Sequence, residues 1–291
     1  MATVSPPDGR SCRWPSDDSE DHDRGLVADL PLLRRRALLG LLAGAGLAAV
    51  AGCASTDSPL QTTTIATPDS ATVPITTPAT GSCVDIPEAT AGPFPADGSS
   101  EVNVLNQAGV VRSDIRSSFG TASGVAAGVP LAITLTVTDT TANCAPLTEA
   151  AVYVWHCDRE GRYSLYSPGV SGENYLRGVQ VVNADGAVRF TSVFPACYPK
   201  RWPHIHFEIY QDLGSASSGA GPLATSQIAL PKDVCDAVYA TDGYGDSARN
   251  LSDVTPDSDP VFRNGWNRQL GTITGSLADG LAVALVVPVG A

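Results

Sequence analysis

Methionine, aromatic residues and positively charged residues are scarce in this chain. Met occurs once, aromatic residues make up 6%, and 18 Lys and Arg stand against 30 Asp and Glu, for a formal net charge of −12. No cluster of Lys and Arg could form a footprint for nucleic-acid phosphates, which argues against binding to DNA or RNA. No helical period persists beyond about two turns, whereas Gly (28) and Pro (22) are abundant. The composition therefore favours short strands and turns.

The apolar run at residues 37–51 is too short to span a bilayer, because it has about 15 residues and a spanning helix needs ~20. It follows the arginines at 34–36, which are typical of a twin-arginine export signal, and it ends in Val50-Ala51-Gly52-Cys53, which resembles a bacterial lipobox. We expect residues 1–53 to be an export signal and Cys53 to be the lipidated first residue of a cell-surface lipoprotein. An ordinary signal peptide with an incidental cysteine is the alternative, and the intact mass of the mature chain distinguishes the two.

Residues 54–82 are dominated by Ser, Thr, Pro and Ala and contain no aromatic residue. Such a segment cannot bury enough apolar surface to offset its chain entropy. We expect a disordered tether that holds a domain away from a membrane or wall. The character of the sequence changes at Cys83, and residues 83–291 are long enough for a folded domain.

Strand patterns recur after Cys83, with turns between them. Residues 131–138 and Ala187–Val193 alternate apolar and polar side chains, as strands with one buried face do. Ala151–Trp155 and residues 281–287 are apolar on both faces, which predicts central strands buried on both sides. Residues 183–186 read Asn-Ala-Asp-Gly, which predicts a hairpin turn.

These patterns predict an all-β fold, with a single β-sandwich domain at residues 83–291 behind the export signal and the tether. Long loops are expected at residues 164–175 and 214–223.

A Cys-x-x-Cys pair is missing, which argues against a metal site built from cysteines. Five cysteines remain after residue 53, and in an oxidising compartment four of them could pair and leave one over. The expected pairs are Cys144 with Cys157, which lie on either side of one strand, and Cys197 with Cys235.

Only four histidines occur in the chain, and His204 and His206 are one residue apart at the start of a predicted strand. Because strand side chains alternate, both histidines and Glu208 point to one face, while the apolar residues 205, 207 and 209 point to the other. Two imidazoles at i and i+2 can chelate one ion. A pair of hydrogen-bonding histidines on a half-exposed strand is the alternative.

Two tyrosines, Tyr163 and Tyr198, precede this strand and could complete a donor set of two nitrogens and two oxygens. Phenolate is a hard, strongly donating ligand that favours ferric iron over ferrous iron or zinc. The alternatives are that Tyr163 packs at a strand end and that Tyr198 caps a turn. We interpret His156 as structural or as a neighbour of the ligands, not as a ligand itself.

Five motifs in this order resemble the intradiol ring-cleavage dioxygenases, a family that includes catechol 1,2-dioxygenase and protocatechuate 3,4-dioxygenase. The resemblance runs from about residue 83 to 287 and implies the β-sandwich of that family, in agreement with the strand patterns. The motifs are Glu88-Ala89-Thr90-Ala91-Gly92-Pro93-Phe94, Gly161-Arg162-Tyr163, Leu176-Arg177-Gly178-Val179-Gln180, Pro195-Ala196-Cys197-Tyr198 and Arg201-Trp202-Pro203-His204-Ile205-His206.

The resemblance implies a non-haem Fe(III) ion held by Tyr163, Tyr198, His204 and His206, with Tyr163 and His206 equatorial and Tyr198 and His204 axial. A catechol-type diol would displace Tyr198, which takes up a proton as a base, and O₂ would cleave the ring to a cis,cis-muconate. Arg201 matches an arginine that stabilises developing negative charge.

Further residues follow from the same resemblance. Gln227 lies near the position of a family glutamine beside the equatorial histidine. Gly92, Pro93 and Phe94 would approach the substrate.

Two positions depart from the family pattern. Cys197 stands where tryptophan is common and Ala91 where an acidic residue is common, and the choice of substrate depends on such positions. The helical N-terminal domain through which catechol 1,2-dioxygenases dimerise has no counterpart, which favours a monomer. The expected partners are a small aromatic diol and O₂, with a membrane reached only through the lipid on Cys53. A non-catalytic, surface-tethered β-sandwich binding module is the alternative function.

Overall fold

The computed structural model describes residues 83–291. The export signal predicted at residues 1–53, the lipidation site Cys53 and the tether predicted at residues 54–82 lie outside the described residues and stay predictions. Within residues 83–291, no helix is both long enough and apolar enough to cross a membrane.

Nine strands and three short α-helices make up the regular structure of residues 83–291. The strands are β1 Pro130–Asp139, β2 Ala145–Pro146, β3 Ala151–Trp155, β4 Arg177–Val181, β5 Ala187–Val193, β6 His204–Tyr210, β7 Ala224–Ala229, β8 Thr272–Ser276 and β9 Gly280–Val289. The helices are α1 Leu213–Ser217, α2 Lys232–Tyr239 and α3 Ser247–Ser252, and 3₁₀ turns follow at Phe262–Asn264 and Trp266–Arg268.

The strands form two sheets. In the first sheet the order is β2-β1-β9-β8, with β5 also paired to β1, and in the second it is β4-β3-β6-β7. The main apolar core contains side chains of both sheets, among them Leu131, Ile133 and Leu135 of β1 and Ile205 and Phe207 of β6. Burying each such side chain contributes about 1.5–3 kcal/mol, so this shared core holds the sheets face to face. The predicted all-β sandwich is confirmed as a mostly β fold of two sheets, to which three short helices are added.

The second sheet is also covered on its other face. Tyr153 and Trp155 of β3 pack there against residues of the N-terminal segment, such as Val104 and Leu105, and against Tyr163. All five residues of β3 are therefore buried, as predicted for Ala151–Trp155. This covered face of the second sheet carries the candidate site.

The prediction that residues 281–287 are buried on both faces is wrong. Burial alternates along β9, and Ala284 and Val286 are exposed. The strand lies between β1 and β8, but nothing in residues 83–291 covers the outer face of its sheet there. The apolar composition of residues 281–287 predicts a strand, but it does not show which faces of that strand other elements cover.

Two predictions about connections need correction. Residues 183–186 do form a turn, since Gly186 N–H donates to Asn183 O at 3.0 Å, but β4 and β5 on either side belong to different sheets and make no hairpin. The loop predicted at 214–223 begins as helix α1, which is capped by Asp212 through its side chain to Ser215 N. Residues 164–175 carry no helix or strand, as predicted.

Both predicted disulfides are wrong. Cys83 is bonded to Cys144, with a Cα–Cα distance of 5.8 Å. Cys157, Cys197 and Cys235 are buried free thiols. Cys144 lies near the turn between β1 and β2 of the first sheet, whereas Cys157 follows β3 of the second, so their closeness along the chain does not bring them together. Burial raises the pKa of the Cys157 thiol well above its ordinary value and that of Cys197 to about 12, so both stay protonated.

Replacing Cys83 and Cys144 together by Ser is expected to lower the free energy of unfolding by about 2–4 kcal/mol, because the bond closes a loop of 61 residues. Denaturant unfolding of the oxidised wild type and of the double variant measures the difference. Equal midpoints for the two proteins would show that the bond adds nothing to stability.

Candidate metal centre

His204 and His206 lie on β6, which is hydrogen-bonded to β3 on one side and to β7 on the other. In this register Trp155 and Gln227 lie opposite His206. The Trp155 indole stacks on the His206 imidazole with 4.8 Å between ring centroids. The alternate residues Ile205 and Phe207 point into the main core, so the strand presents both imidazoles on the opposite face, as the alternation predicts.

Tyr163 and Tyr198 reach the same face from two connecting segments. Tyr163 lies in the segment after β3, where its N–H donates to Ser167 Oγ at 2.9 Å. Gly161 precedes it with φ +80°, a conformation that suits glycine, and an added Cβ there would lie 3.5 Å from Tyr198 Cβ. This turn therefore brings the two tyrosine segments against each other.

The four side chains close a ring of donor atoms. Tyr163 Oη lies 3.4 Å from Tyr198 Oη, which lies 3.1 Å from His204 Nε2. His204 Nε2 lies 3.1 Å from His206 Nε2, and this nitrogen lies 3.2 Å from Tyr163 Oη. The structure thus brings together all four residues that the sequence proposes as metal ligands.

The spacing of these four atoms fits a common ion. Donor atoms about 2.1 Å from one metal are roughly 3.0–3.4 Å apart when the angles at the metal are about 90–110°. The ring edges of 3.1–3.4 Å lie in this range. Two imidazole nitrogens and two phenol oxygens also suit a hard transition-metal ion such as ferric iron.

The hydrogen bonds of the histidines support this reading. His204 Nδ1 lies 2.5 Å from the carbonyl oxygen of Trp202, so Nδ1 carries the proton and the neutral ring turns a bare Nε2 lone pair into the donor ring. His206 Nδ1 is buried without a hydrogen-bond partner in residues 83–291. An orphaned buried nitrogen costs about 1–3 kcal/mol, and its imidazole is therefore not placed for its own hydrogen bonding.

Burial sets the protonation of the ring. It lowers the pKa of His204 to about 3 and that of His206 well below its ordinary value, with the charge of Arg201 adding to both shifts. It raises the pKa of Tyr198 to about 12 and that of Tyr163 well above its ordinary value. Without a metal, the ring at neutral pH holds neutral imidazoles and neutral phenols. A bound cation reverses the preference of the phenols, because it stabilises phenolate.

Arg201 and Gln227 lie beside the ring and bond to each other. Arg201 Nη2 donates to Gln227 Oε1 at 2.6 Å, and Gln227 Nε2 donates to the carbonyl oxygen of Thr90 at 2.8 Å. Gln227 also lies opposite His206 in the register of β6 and β7. The structure therefore places both predicted residues next to the four donors.

The Gly92–Phe94 segment, which is predicted to approach the substrate, runs past the ring of donor atoms. Its three residues differ in how close they lie to the donor residues. An added Cβ on Gly92, which has φ +75°, would lie 3.4 Å from His206 Cε1. The Phe94 ring lies 5.2 Å from the Tyr163 ring. Pro93 between them is exposed and makes no described side-chain contact with the ring.

The remaining candidates point elsewhere. His156 Nε2 bonds to Ser192 Oγ at 2.7 Å and its Nδ1 to Cys157 O at 2.8 Å, so His156 is outside the donor ring. Cys197 packs into the main core, and its thiol faces the carbonyl oxygen of Arg201. Ala91 packs against the apolar residues that cover the outer face of the second sheet, among them Tyr163.

Sequence reasoning missed the residues that hold this site in place. Arg177 is buried and donates to Phe94 O, Pro95 O and both Ser164 oxygens, so it ties the Gly92–Phe94 segment to the residue after Tyr163. The motif at residues 176–180 contains Arg177 but does not by itself indicate this role. Asp259 contacts Arg201 from a distant loop, and no local pattern marks it.

Comparisons with known proteins show a likeness to dioxygenases. A family model described as "Dioxygenase" matches residues 112–216, which include all four ring donors. A curated chlorocatechol 1,2-dioxygenase from Rhodococcus opacus is 32% identical over 117 residues, which are 32% of this chain and 43% of that protein. The matched part thus spans less than half of that relative.

Solved structures extend the likeness over most of the described residues. An intradiol ring-cleavage dioxygenase from Tetranychus urticae is 25% identical with a TM-score of 0.55, covering 72% of this chain and 95% of its own. A second dioxygenase structure shares the fold at 23% identity and a TM-score of 0.57, with the same coverage. Family model, curated relative and solved structures therefore agree in a likeness to dioxygenases, and the chain is similar to an intradiol ring-cleavage dioxygenase over most of its described residues.

Proposed function

We propose that this protein is an Fe(III)-dependent dioxygenase that uses O₂ to cleave a catechol-type aromatic between its two hydroxyls, giving a cis,cis-muconate. The observation that carries the proposal is the ring of two phenol oxygens and two imidazole nitrogens with edges of 3.1–3.4 Å. Tyr163, Tyr198, His204 and His206 would hold the iron. Ferric iron there would act as a Lewis acid that binds the diol and draws electron density from its ring, making a ring carbon reactive toward O₂.

The two tyrosines differ in how firmly the protein holds them. Tyr163 is buried, its N–H is bonded to Ser167 Oγ, and Phe94 packs on its ring. Tyr198 is half-buried, and the next residues, Pro199 and Lys200, are exposed. We assign Tyr163 as the fixed ligand and Tyr198 as the side chain that moves aside when substrate arrives.

A freed Tyr198 is suited to be the base. Its pKa in the metal-free pocket is about 12, so a free phenolate at this position takes up a proton from a substrate hydroxyl at neutral pH. The guanidinium of Arg201 is close enough to depress the pKa of both histidines, so its charge acts on the same space. It would stabilise the negative charge of an ionised diol.

The shape of the site beside the Gly92–Phe94 segment favours a flat substrate. Glycine at position 92 keeps the backbone close to His206, and the Phe94 ring lies beside Tyr163. An aromatic side chain beside the ring of donors offers a surface on which a planar diol can pack.

The test of the function is direct. Purified iron-loaded protein should be red-brown from phenolate-to-iron charge transfer, contain about one iron per chain, and consume O₂ with muconate formation from at least one member of a catechol panel. The panel should include catechol, chlorocatechols, hydroxyquinol and protocatechuate. Stoichiometric zinc or copper without a visible band, or iron-loaded protein inert toward the whole panel, would overturn the proposal.

Loading with Fe(III) is expected to release two protons per ion. Both phenols are protonated in the metal-free ring because burial raises their pKa, while both imidazoles are already neutral. The affinity for iron should then rise with pH, by roughly 100-fold per unit near neutrality, after correction for the competing chelator. Titrations with ferric nitrilotriacetate at several pH values measure the slope. Tyr198→Phe is the matched control, since it should release a single proton.

Tyr163→Phe and Tyr198→Phe should separate ligand from base. The first removes the fixed ligand, so iron retention and colour should both fall. The second leaves three protein ligands and should keep much of the iron, yet lose turnover by about 100-fold or more, because no phenolate accepts the substrate proton. Iron content and steady-state rate are measured for each variant with the best substrate. Near-wild-type turnover in Tyr198→Phe would require the two roles to be exchanged or abandoned.

A further inference from the structure

Asp259 lies in the loop after α3, far from the ring in sequence, and its side chain is fully buried. Its Oδ2 accepts hydrogen bonds from Arg201 Nε at 3.0 Å and from the backbone N–H of Trp202 at 2.6 Å. This carboxylate therefore holds both the guanidinium and the backbone that leads into His204.

The orientation of Asp259 is itself fixed. Its Oδ1 accepts from the N–H groups of Val261 at 2.8 Å and Phe262 at 3.2 Å. Phe262 is buried in the main core, and its ring centroid lies 6.2 Å from that of His204. The loop is thus anchored beside the donor ring, and the carboxylate has no freedom to follow a moving arginine.

Arg201 is held at two of its three nitrogens. Nε donates to Asp259 and Nη2 donates to Gln227 Oε1, which fixes the plane of the guanidinium. Nη1 has no partner within residues 83–291, and 15% of the side chain is exposed. One N–H edge of a rigid cation is therefore left for a ligand.

We propose that Asp259 is a positioning residue that fixes Arg201 so that its free Nη1 edge meets the negative charge of the bound diol. The inference rests on the proposed function, because it assigns Asp259 a part in binding and turning over that substrate. The competing interpretation is that Asp259 only fastens its loop to Trp202 and the core.

The first test compares Asp259→Asn with Asp257→Asn. Asp257 lies in the same loop and accepts from Trp266 Nε1 at 2.9 Å on the exposed side, so its replacement makes the same chemical change without touching Arg201. The affinity for the best substrate of the catechol panel is measured under nitrogen on iron-loaded protein, together with iron content, visible spectrum, kcat and KM.

For Asp259→Asn we expect retained iron and colour, with catechol affinity and kcat/KM lower by roughly 10–100-fold, as for removal of a group that orients a ligand-binding residue. Asp257→Asn should match the wild type. Equal affinity and equal kcat/KM in the two variants would overturn the proposal. If the wild type binds no member of the catechol panel under nitrogen, the proposed function itself fails, and this outcome is distinct from a wild type that binds while Asp259→Asn binds equally well.

A double-variant cycle separates positioning from a structural role. If Asp259 acts through Arg201, then adding Asp259→Asn to Arg201→Ala should change kcat/KM by less than about threefold. A merely structural Asp259 would cause the same loss in both backgrounds, which would contradict the proposal.

Arg201→Lys keeps the inference testable even where Asp259→Asn does not fold. Lys retains the charge but cannot keep the forked contacts to Asp259 and Gln227. It should therefore lose most of the affinity and kcat/KM that Arg201→Ala loses. Near-wild-type values for Arg201→Lys would mean that charge alone suffices and that the hold of Asp259 on the guanidinium is irrelevant.

Discussion

The crowding of four donor atoms within 3.4 Å of their neighbours in a buried pocket is the constraint on which the rest of the site depends. Burial keeps the imidazoles of His204 and His206 neutral and the phenols of Tyr163 and Tyr198 protonated. Contacts among the four side chains contribute little stability by themselves, since His206 Nδ1 has no hydrogen-bond partner in residues 83–291. The sandwich must therefore supply the rigidity, and it does so by placing β6 between β3 and β7.

Charge around the ring contrasts with the charge of the chain. The whole sequence has a formal net charge of −12, yet the charges nearest to His206 that lower its pKa include Arg177 and Arg201. Arg177 is buried and bonds only to carbonyl and hydroxyl oxygens, with no carboxylate partner in residues 83–291. The charge of Arg201 is balanced by Asp259, whereas that of Arg177 is not balanced by a carboxylate contact, and it favours anionic occupants of this region, as phenolate ligands and an ionised diol would be.

Local patterns predicted β3, β5 and β6 well. Alternation of apolar and polar side chains, or a run of apolar residues, depends only on which faces of a single strand are buried. They failed where distant segments meet. The N-terminal segment runs along β9, where Ile86 N–H donates to Pro288 O, and this brings Cys83 to Cys144 instead of leaving it unpaired. The four proposed metal ligands were found through motifs that resemble those of the family. Asp259 could not be found in that way, since it lies in none of the motifs and a single aspartate in a turn-rich loop carries no pattern.

The same chemical group appears twice in the ring, but its two copies are held differently. Tyr163 is fixed by a backbone bond to Ser167 and, through Ser164, by the guanidinium of Arg177. Tyr198 is followed by an exposed turn in which Lys200 has φ +69°, a conformation that costs about 1 kcal/mol or more for a residue with a side chain. Because both phenols have raised pKa values, acidity does not distinguish a permanent ligand from a departing one. The proposed difference in role therefore depends on packing, since Tyr198 is half-buried and is followed by exposed residues, whereas Tyr163 is buried.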